Sequence, residues 1–214
     1  MTLDAVLLIA SGIPLTLAVT AGAFALGAVL GIPLCALRVS RSSTLHLAAV
    51  AIIMLLRSIP PIVWLFLLYF GIGSGFLRVG PVEASVAALG LITAANMAEI
   101  YRGALRGVHS GQWEASTALG MKPWARFRDV LAPQICRMAL PSSVTFFIGL
   151  LKDSAIASTI GVGEIAFQAN YISRRTFEGL EVFAVAGLVY ILISLPIAAM
   201  SRQLDSRLRE RVAQ

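Results

Sequence analysis

The sequence predicts an all-α integral membrane protein, a single domain over residues 1–214 with about five transmembrane helices. Three observations carry that prediction. Hydrophobic residues make up 58% of the chain and the mean hydropathy is +0.85, against roughly 45–50% apolar residues in a soluble globule. Only 13% of residues are charged. The apolar residues fall in runs near the roughly 20 that a helix needs to cross a bilayer, separated by short loops that hold most of the Lys and Arg.

The spans follow in order. Residues 5–13 read as an interfacial lead-in and 14–37 as the first span. Gly27 and Gly31 form a small-xxx-small pair there, which lets a second helix approach closely. The second span, 46–70, holds Arg57-Ser58-Ile59-Pro60-Pro61 at its middle. Two prolines remove N–H donors, and Pro60 pushes Ile59 away from helical angles, so a kink or break is expected. An arginine at bilayer depth must face protein or water, or else snorkel. Gly71, Gly73 and Gly75 then mark a loop. The third span, 83–106, carries Asn96 and Glu99, with Arg102 placed to pair with Glu99 at i, i+3. The fourth, 138–160, contains Lys152 and Asp153 in an apolar context, unless the helix ends near 151 and the two lie in an outer loop. The fifth is 182–200. The tail from Arg202 reads as a short basic surface helix or a solvated segment.

Between the third and fourth spans, Gln112–Pro133 has a different chemistry. Glu114 to Leu119 favour a short helix that Gly120 ends in a left-handed conformation. Pro123 suits the first position of a second helix, whose stripe is Trp124, Phe127 and Leu131. Pro133 reads as its stop. A helix–turn–helix with a small-residue knob results.

Cys35 and Cys136 show no metal-ligand spacing and read as buried packing residues. His46 and His109 fall in expected loops and form no metal cluster, and no HExxH or GxSxG motif occurs, which argues against an intramembrane enzyme. The formal charge of +6 is spread over loops without an aromatic-interleaved stripe, so no nucleic acid is expected. No cleavable leader is read at the N-terminus. With Arg102 and Arg106 at the end of span three counted in, the loops after spans one, three and five hold twelve of the 17 Lys and Arg. The positive-inside rule then puts the N-terminus outside, and Gln112–Pro133 and the C-terminus in the cytoplasm.

The Gln112–Pro133 stretch resembles the EAA loop of permease subunits of ATP-binding cassette (ABC) importers. Gly111, Glu114, Ala115 and Gly120 carry the match over 110–133, with Ser116 in place of the second Ala and Ala132 in place of Leu before Pro133. Three stretches, 55–71, 98–121 and 140–165, together resemble the polar amino acid branch, the histidine/glutamine-type permeases. The resemblance implies a type I importer permease (MetI-like) fold with a cytoplasmic coupling loop. It implies two ATPase subunits docked at that loop, a second permease, identical or related, and a periplasmic binding protein. The chain would sit in lipid, in a bacterial inner membrane. ATP and Mg would be bound by the ATPases, since no GxxxxGK[ST] motif occurs here. No catalytic residue and no metal site are expected. Arg57, Asn96, Glu99, Thr145, Lys152 and Asp153 are the candidates for the polar pathway or its gate. Thr145-Phe146 stand where the branch often has Asn-Glu, and Ser58-Ile59 where it has Gly-Thr, so the substrate is open to difference from basic amino acids. A permease for compatible solutes or peptides is the alternative.

Overall fold

The computed structural model describes residues 3–72 and 78–210. Gly73 and Gly75 of the expected loop, and Arg211 of the tail, lie outside the described residues. Helix α1 (Leu3–Ala10) turns at Ser11-Gly12 into α2 (Ile13–Arg38). Helix α3 (Ser43–Ser58) and α4 (Pro61–Phe66) occupy the stretch expected as the second span. They are bent by 97° at Ile59-Pro60, both of which are extended. The two prolines thus break the helix rather than merely kink it. A π-helical turn, Leu67–Ile72, follows α4.

Helix α5 (Pro81–Gly107) is the most enclosed span. Bilayers supply little hydrophobic drive between helices, so association rests on close fit of small residues. The α2–α5 contact is of that kind. A Cβ at Gly27 would fall 2.3 Å from Thr93, and one at Gly31 would fall 2.8 Å from Met97. The central core joins Val19, Ala23, Leu65, Ala88, Leu89 and Leu150. Large outward side chains such as Val29, Leu47, Met54 and Leu192 are more than half exposed, as lipid-facing or partner-facing residues are.

Helix α6 (Ser110–Ala118) and α7 (Pro123–Arg126) form the expected helix–turn–helix. Pro133 does not stop the second helix. A π-helical turn, Phe127–Leu131, leads directly into α8 (Ala132–Asp153), and the helix is carried through Pro133 at the junction, where the i→i−5 bonding of the π turn gives way to the α pattern. The run Pro123–Ile160 is therefore continuous over 38 residues, closing with a 3₁₀ segment, Ser154–Ile160. The stripe expected on the second helix is not a buried face. Leu131 is buried, but Trp124 and Phe127 are exposed. Cys35 is buried; Cys136 is exposed on the outer face of α8. Helix α9 (Ile165–Thr176) crosses to α10 (Gly179–Glu210), whose first part is the fifth span and which runs unbroken through the arginine-rich positions to Glu210. His46 is not in a loop but in the first turn of α3, and His109 caps α6.

Candidate functional site

The broken second span opens a polar cleft. Arg57 lies in the last turn of α3, where a cation complements the helix dipole. Its exposed side chain makes no hydrogen bond or ion pair with any described residue. Opposite stand Asn96, Glu99 and Arg102 from α5, and Ser142 and Phe146 from α8, around a cavity of about 520 Å³. Asn96 donates through Nδ2 to the Ile92 carbonyl (2.9 Å), which leaves its carbonyl oxygen as an acceptor.

Glu99 is shared between two arginines. Arg102 Nε donates to Oε2 (2.8 Å), the expected i, i+3 pair, and Arg38 Nε, from the end of α2, reaches Oε1 at 3.3 Å. His46 completes the group: its Nδ1 donates to the Arg38 carbonyl (2.8 Å) and its Nε2 accepts from Arg38 Nη1 (2.9 Å). Two guanidiniums on one carboxylate leave this corner net positive, and the free Arg57 adds to it. A carboxylate-bearing solute is the complement of such a cleft, since the guanidinium fork matches carboxylate geometry. Arg38 and His46 had no local signal in the sequence, because their partner is 61 residues away for Arg38 and the histidine's partner is that same arginine.

The structure brings three of the six pathway candidates together and leaves three apart. Thr145 is exposed on α8 with its hydroxyl bonded to the Pro141 carbonyl (3.0 Å); its neighbour Phe146 enters the cleft instead. Lys152 borders a separate, apolar groove between α8 and α10 with Ile148, Tyr190 and Ser194. Asp153 is exposed at the end of α8.

At the far end of α8, residues 110–133 form a stiff projection. Gly120 has φ of +67°, its N–H bonds to the Thr117 carbonyl (2.9 Å), and the Met121 N–H bonds to the Ser116 carbonyl (3.1 Å). This is a Schellman termination, and glycine is the residue that takes it without strain. Arg126 Nη1 donates to Thr117 Oγ1 (2.7 Å), and Gln134 Nε2 to Gln112 Oε1 (3.1 Å), tying the two arms. Glu114 and Ala115 face outward, Gly111 is half-buried, and Ser116 is buried at the base of the arm. Leu119 is 79% exposed and Trp124 68% exposed, an apolar tip with no cover among the described residues.

A second polar centre was not foreseen. Glu164 is fully buried; its Oε1 accepts from the Phe167 N–H (2.8 Å) and its Oε2 from the Tyr190 hydroxyl (2.7 Å). The Thr16 hydroxyl lies 3.5 Å from Oε2 and accepts from the Ile165 N–H at 3.3 Å. One carboxyl thereby joins α2, α9 and α10. An N-cap acceptor three residues ahead of its donor was the only local sign of it.

The family model for the binding-protein-dependent transport system inner membrane component matches residues 23–210. The chain is similar to the probable amino-acid ABC transporter permease protein YckA of Bacillus subtilis, 32% identical with 92% of this chain and 87% of that one covered. It is 36% identical to the octopine transport system permease protein OccM of Rhizobium radiobacter, covering 91% and 83%. Among solved structures, an amino acid ABC transporter with histidines matches with a TM-score of 0.87 and 30% identity, over 97% of this chain and 100% of that one. That agreement extends the all-helical permease fold, with four or five candidate spans, over 97% of the chain, and a family of transport subunits leaves nucleotide hydrolysis to a separate ATPase. The chain belongs to the binding-protein-dependent transport system inner membrane components, as a permease subunit of an ABC importer.

Proposed function

We propose that this permease pairs with a second permease, identical or related, to form the pathway for a polar amino acid delivered by an extracellular binding protein. Two ATPases engage residues 110–133 from the cytoplasm; the N-terminus is outside and the C-terminus inside. The observation that carries the substrate class is the unpaired Arg57 facing Asn96 and the Glu99–Arg102 pair across one cleft. A zwitterionic solute would set its carboxylate on Arg57 and direct a polar side chain or ammonium to the Asn96 carbonyl and the Glu99 edge. Amino-acid and octopine transport in the relatives fits the same chemistry, since octopine too carries carboxylates.

In the mechanism, closure of the ATPase pair moves the projection around Glu114–Gly120 as a lever. Its stiffness comes from the Schellman turn and the Arg126–Thr117 and Gln134–Gln112 bonds. Continuity of Pro123–Ile160 carries that displacement along α8 to Ser142 and Phe146 in the cleft. The break at Ile59-Pro60 lets Arg57 change its distance from α5 without unwinding either helix. The test is uptake of labelled amino acids into liposomes holding the whole importer, with unlabelled amino acids, compatible solutes and peptides as competitors. Competition by polar amino acids alone supports the reading; competition by compatible solutes or peptides alone overturns it.

A further inference from the structure

Helix α9 stands at the opposite end of α8 from the projection. With 22 residues, α8 is about 33 Å long, so the two features lie on opposite sides of a bilayer. Helix α9 is amphipathic. Ile165, Ala169 and Ile172 are buried against α1 and α10, while Asn170, Tyr171, Arg174 and Arg175 are exposed. No carboxylate occurs in Ile165–Thr176, and neither arginine has a carboxylate partner among the described residues. Both are instead held by neutral groups. Arg174 Nε donates to Asn170 Oδ1 (3.0 Å), and the Arg175 guanidinium lies 4.9 Å over the Tyr171 ring. Two uncompensated cations are thus fixed in place, which lowers the ordering cost of meeting an anion.

A groove of about 590 Å³ runs beside them, lined by Ser158, Thr159, Gly161, Asn170, Tyr171 and Arg174. The Ser158 and Thr159 hydroxyls donate to the Ala155 and Ile156 carbonyls, so the donors left for an acidic side chain are the Arg174 guanidinium and the Asn170 amide, beside the Phe167 ring. The end of α9 adds an apolar rim: Phe177 has φ of +62° and is 91% exposed, and Leu180 is 87% exposed. Phe177 ends α9 in the left-handed conformation, its N–H bonded to the Ser173 carbonyl (2.9 Å), which turns its ring outward. Tyr, Arg and exposed Phe together have the composition of a protein interface centre. The base beneath is rigid, because Glu164 ties the start of α9 to α2 and α10, and Gly12 packs directly on the Glu164 backbone.

We infer that the outer face of α9 docks the binding protein, with Arg174 and Arg175 receiving carboxylates on its surface and Phe177 packing beside them. The inference rests on the importer reading above and on its orientation. The partner is the binding protein because the family depends on one, and because the two arginines without an ion-pair partner among the described residues lie on the side opposite the projection.

The experiment uses the complete importer in nanodiscs and a titration of substrate-loaded binding protein, reading stimulated ATPase rate. The double charge reversal Arg174→Glu with Arg175→Glu raises the half-saturating binding-protein concentration by at least about tenfold, and leaves the rate without binding protein unchanged. Added salt weakens the wild type and partly restores the charge-reversed variant, because it screens attraction in the one and repulsion in the other. Arg174→Gln with Arg175→Gln gives a smaller shift in the same direction, which separates lost attraction from misfolding. An unchanged half-saturation in both variants overturns the inference while the importer reading stands. A shift that appears only when anionic lipid is present overturns it in favour of a lipid-headgroup contact. A wild-type importer with no response to binding protein overturns both readings.

Discussion

The Tyr190 hydroxyl lies 2.7 Å from Oε2 of Glu164, so the middle of α10 is bonded to the N-terminal cap of α9 through a fully buried carboxyl. Loss of that carboxyl leaves the tyrosine hydroxyl and the Phe167 N–H without their acceptor, at about 1–3 kcal/mol each. Glu164→Ala is expected to lower the thermal unfolding midpoint of the purified importer by several degrees. Glu164→Gln, which keeps an acceptor oxygen, is expected to recover most of that loss. Equal midpoints for the alanine variant and wild type would show that the cluster does not stabilise the subunit.

Burial pushes the Glu164 carboxyl above its ordinary range, against the opposing hydrogen bonds from Tyr190, Phe167 and Thr16. A carboxyl whose folded-state pKa is raised binds protons more readily folded than unfolded. Its ionisation therefore costs stability as pH rises above the unfolded value, and the cost is relieved as pH falls. The stability difference between wild type and Glu164→Gln should shift in favour of wild type as pH is lowered from 8 towards 5. A difference that stays flat with pH would rule out ionisation of Glu164 in this range.

Gly12 is a packing requirement. A Cβ there would stand 2.4 Å from the Ile165 nitrogen and 2.5 Å from the Glu164 carbonyl carbon, both backbone atoms that cannot swing aside. Gly12→Ala is expected to cost roughly 1–3 kcal/mol, as overpacking does. Gly103, with open space around its Cβ position, is the control: Gly103→Ala should leave the midpoint unchanged or slightly raised. Detergent-solubilised thermal melts compare the two.

Arg57→Ala is expected to reduce substrate uptake by at least about tenfold, the scale of one lost charge-assisted contact. ATPase assembly should be normal, because Arg57 is remote in sequence from 110–133. Arg57→Lys keeps the charge but loses the fork and should recover uptake only in part. Full uptake in the alanine variant would remove Arg57 from the pathway.

Leu119 and Trp124 expose apolar surface at the tip of the projection. Leu119→Ser with Trp124→Ala is expected to lower co-purification of the ATPase without lowering the amount of permease in the membrane. Gly120→Val forces a β-branched residue to φ near +67° and should act through the turn itself, at about 1–2 kcal/mol. Normal ATPase recovery in both would place the docking surface elsewhere.

The sequence by itself determined the membrane class, five apolar segments with their order, the break at Pro60 and the glycine turn at Gly120. Each follows from covalent or local physics: run length against bilayer thickness, a missing N–H, a missing Cβ. The motif stretches also carried the family resemblance. Local rules misjudged Pro133, because the π turn before it carries the helix through the proline.

Only the tertiary structure decided which polar groups share a site. Arg57 meets Asn96 and Glu99 across the cleft, whereas Thr145, Lys152 and Asp153 face elsewhere. Arg38 reaches Glu99 over 61 residues of chain, and Thr16 approaches Glu164 over 148. In helices apolar on nearly every face, periodicity does not say which side turns inward. The rotation of each helix is set by small-residue contacts such as Gly27 against Thr93, and those exist only once two distant segments have packed.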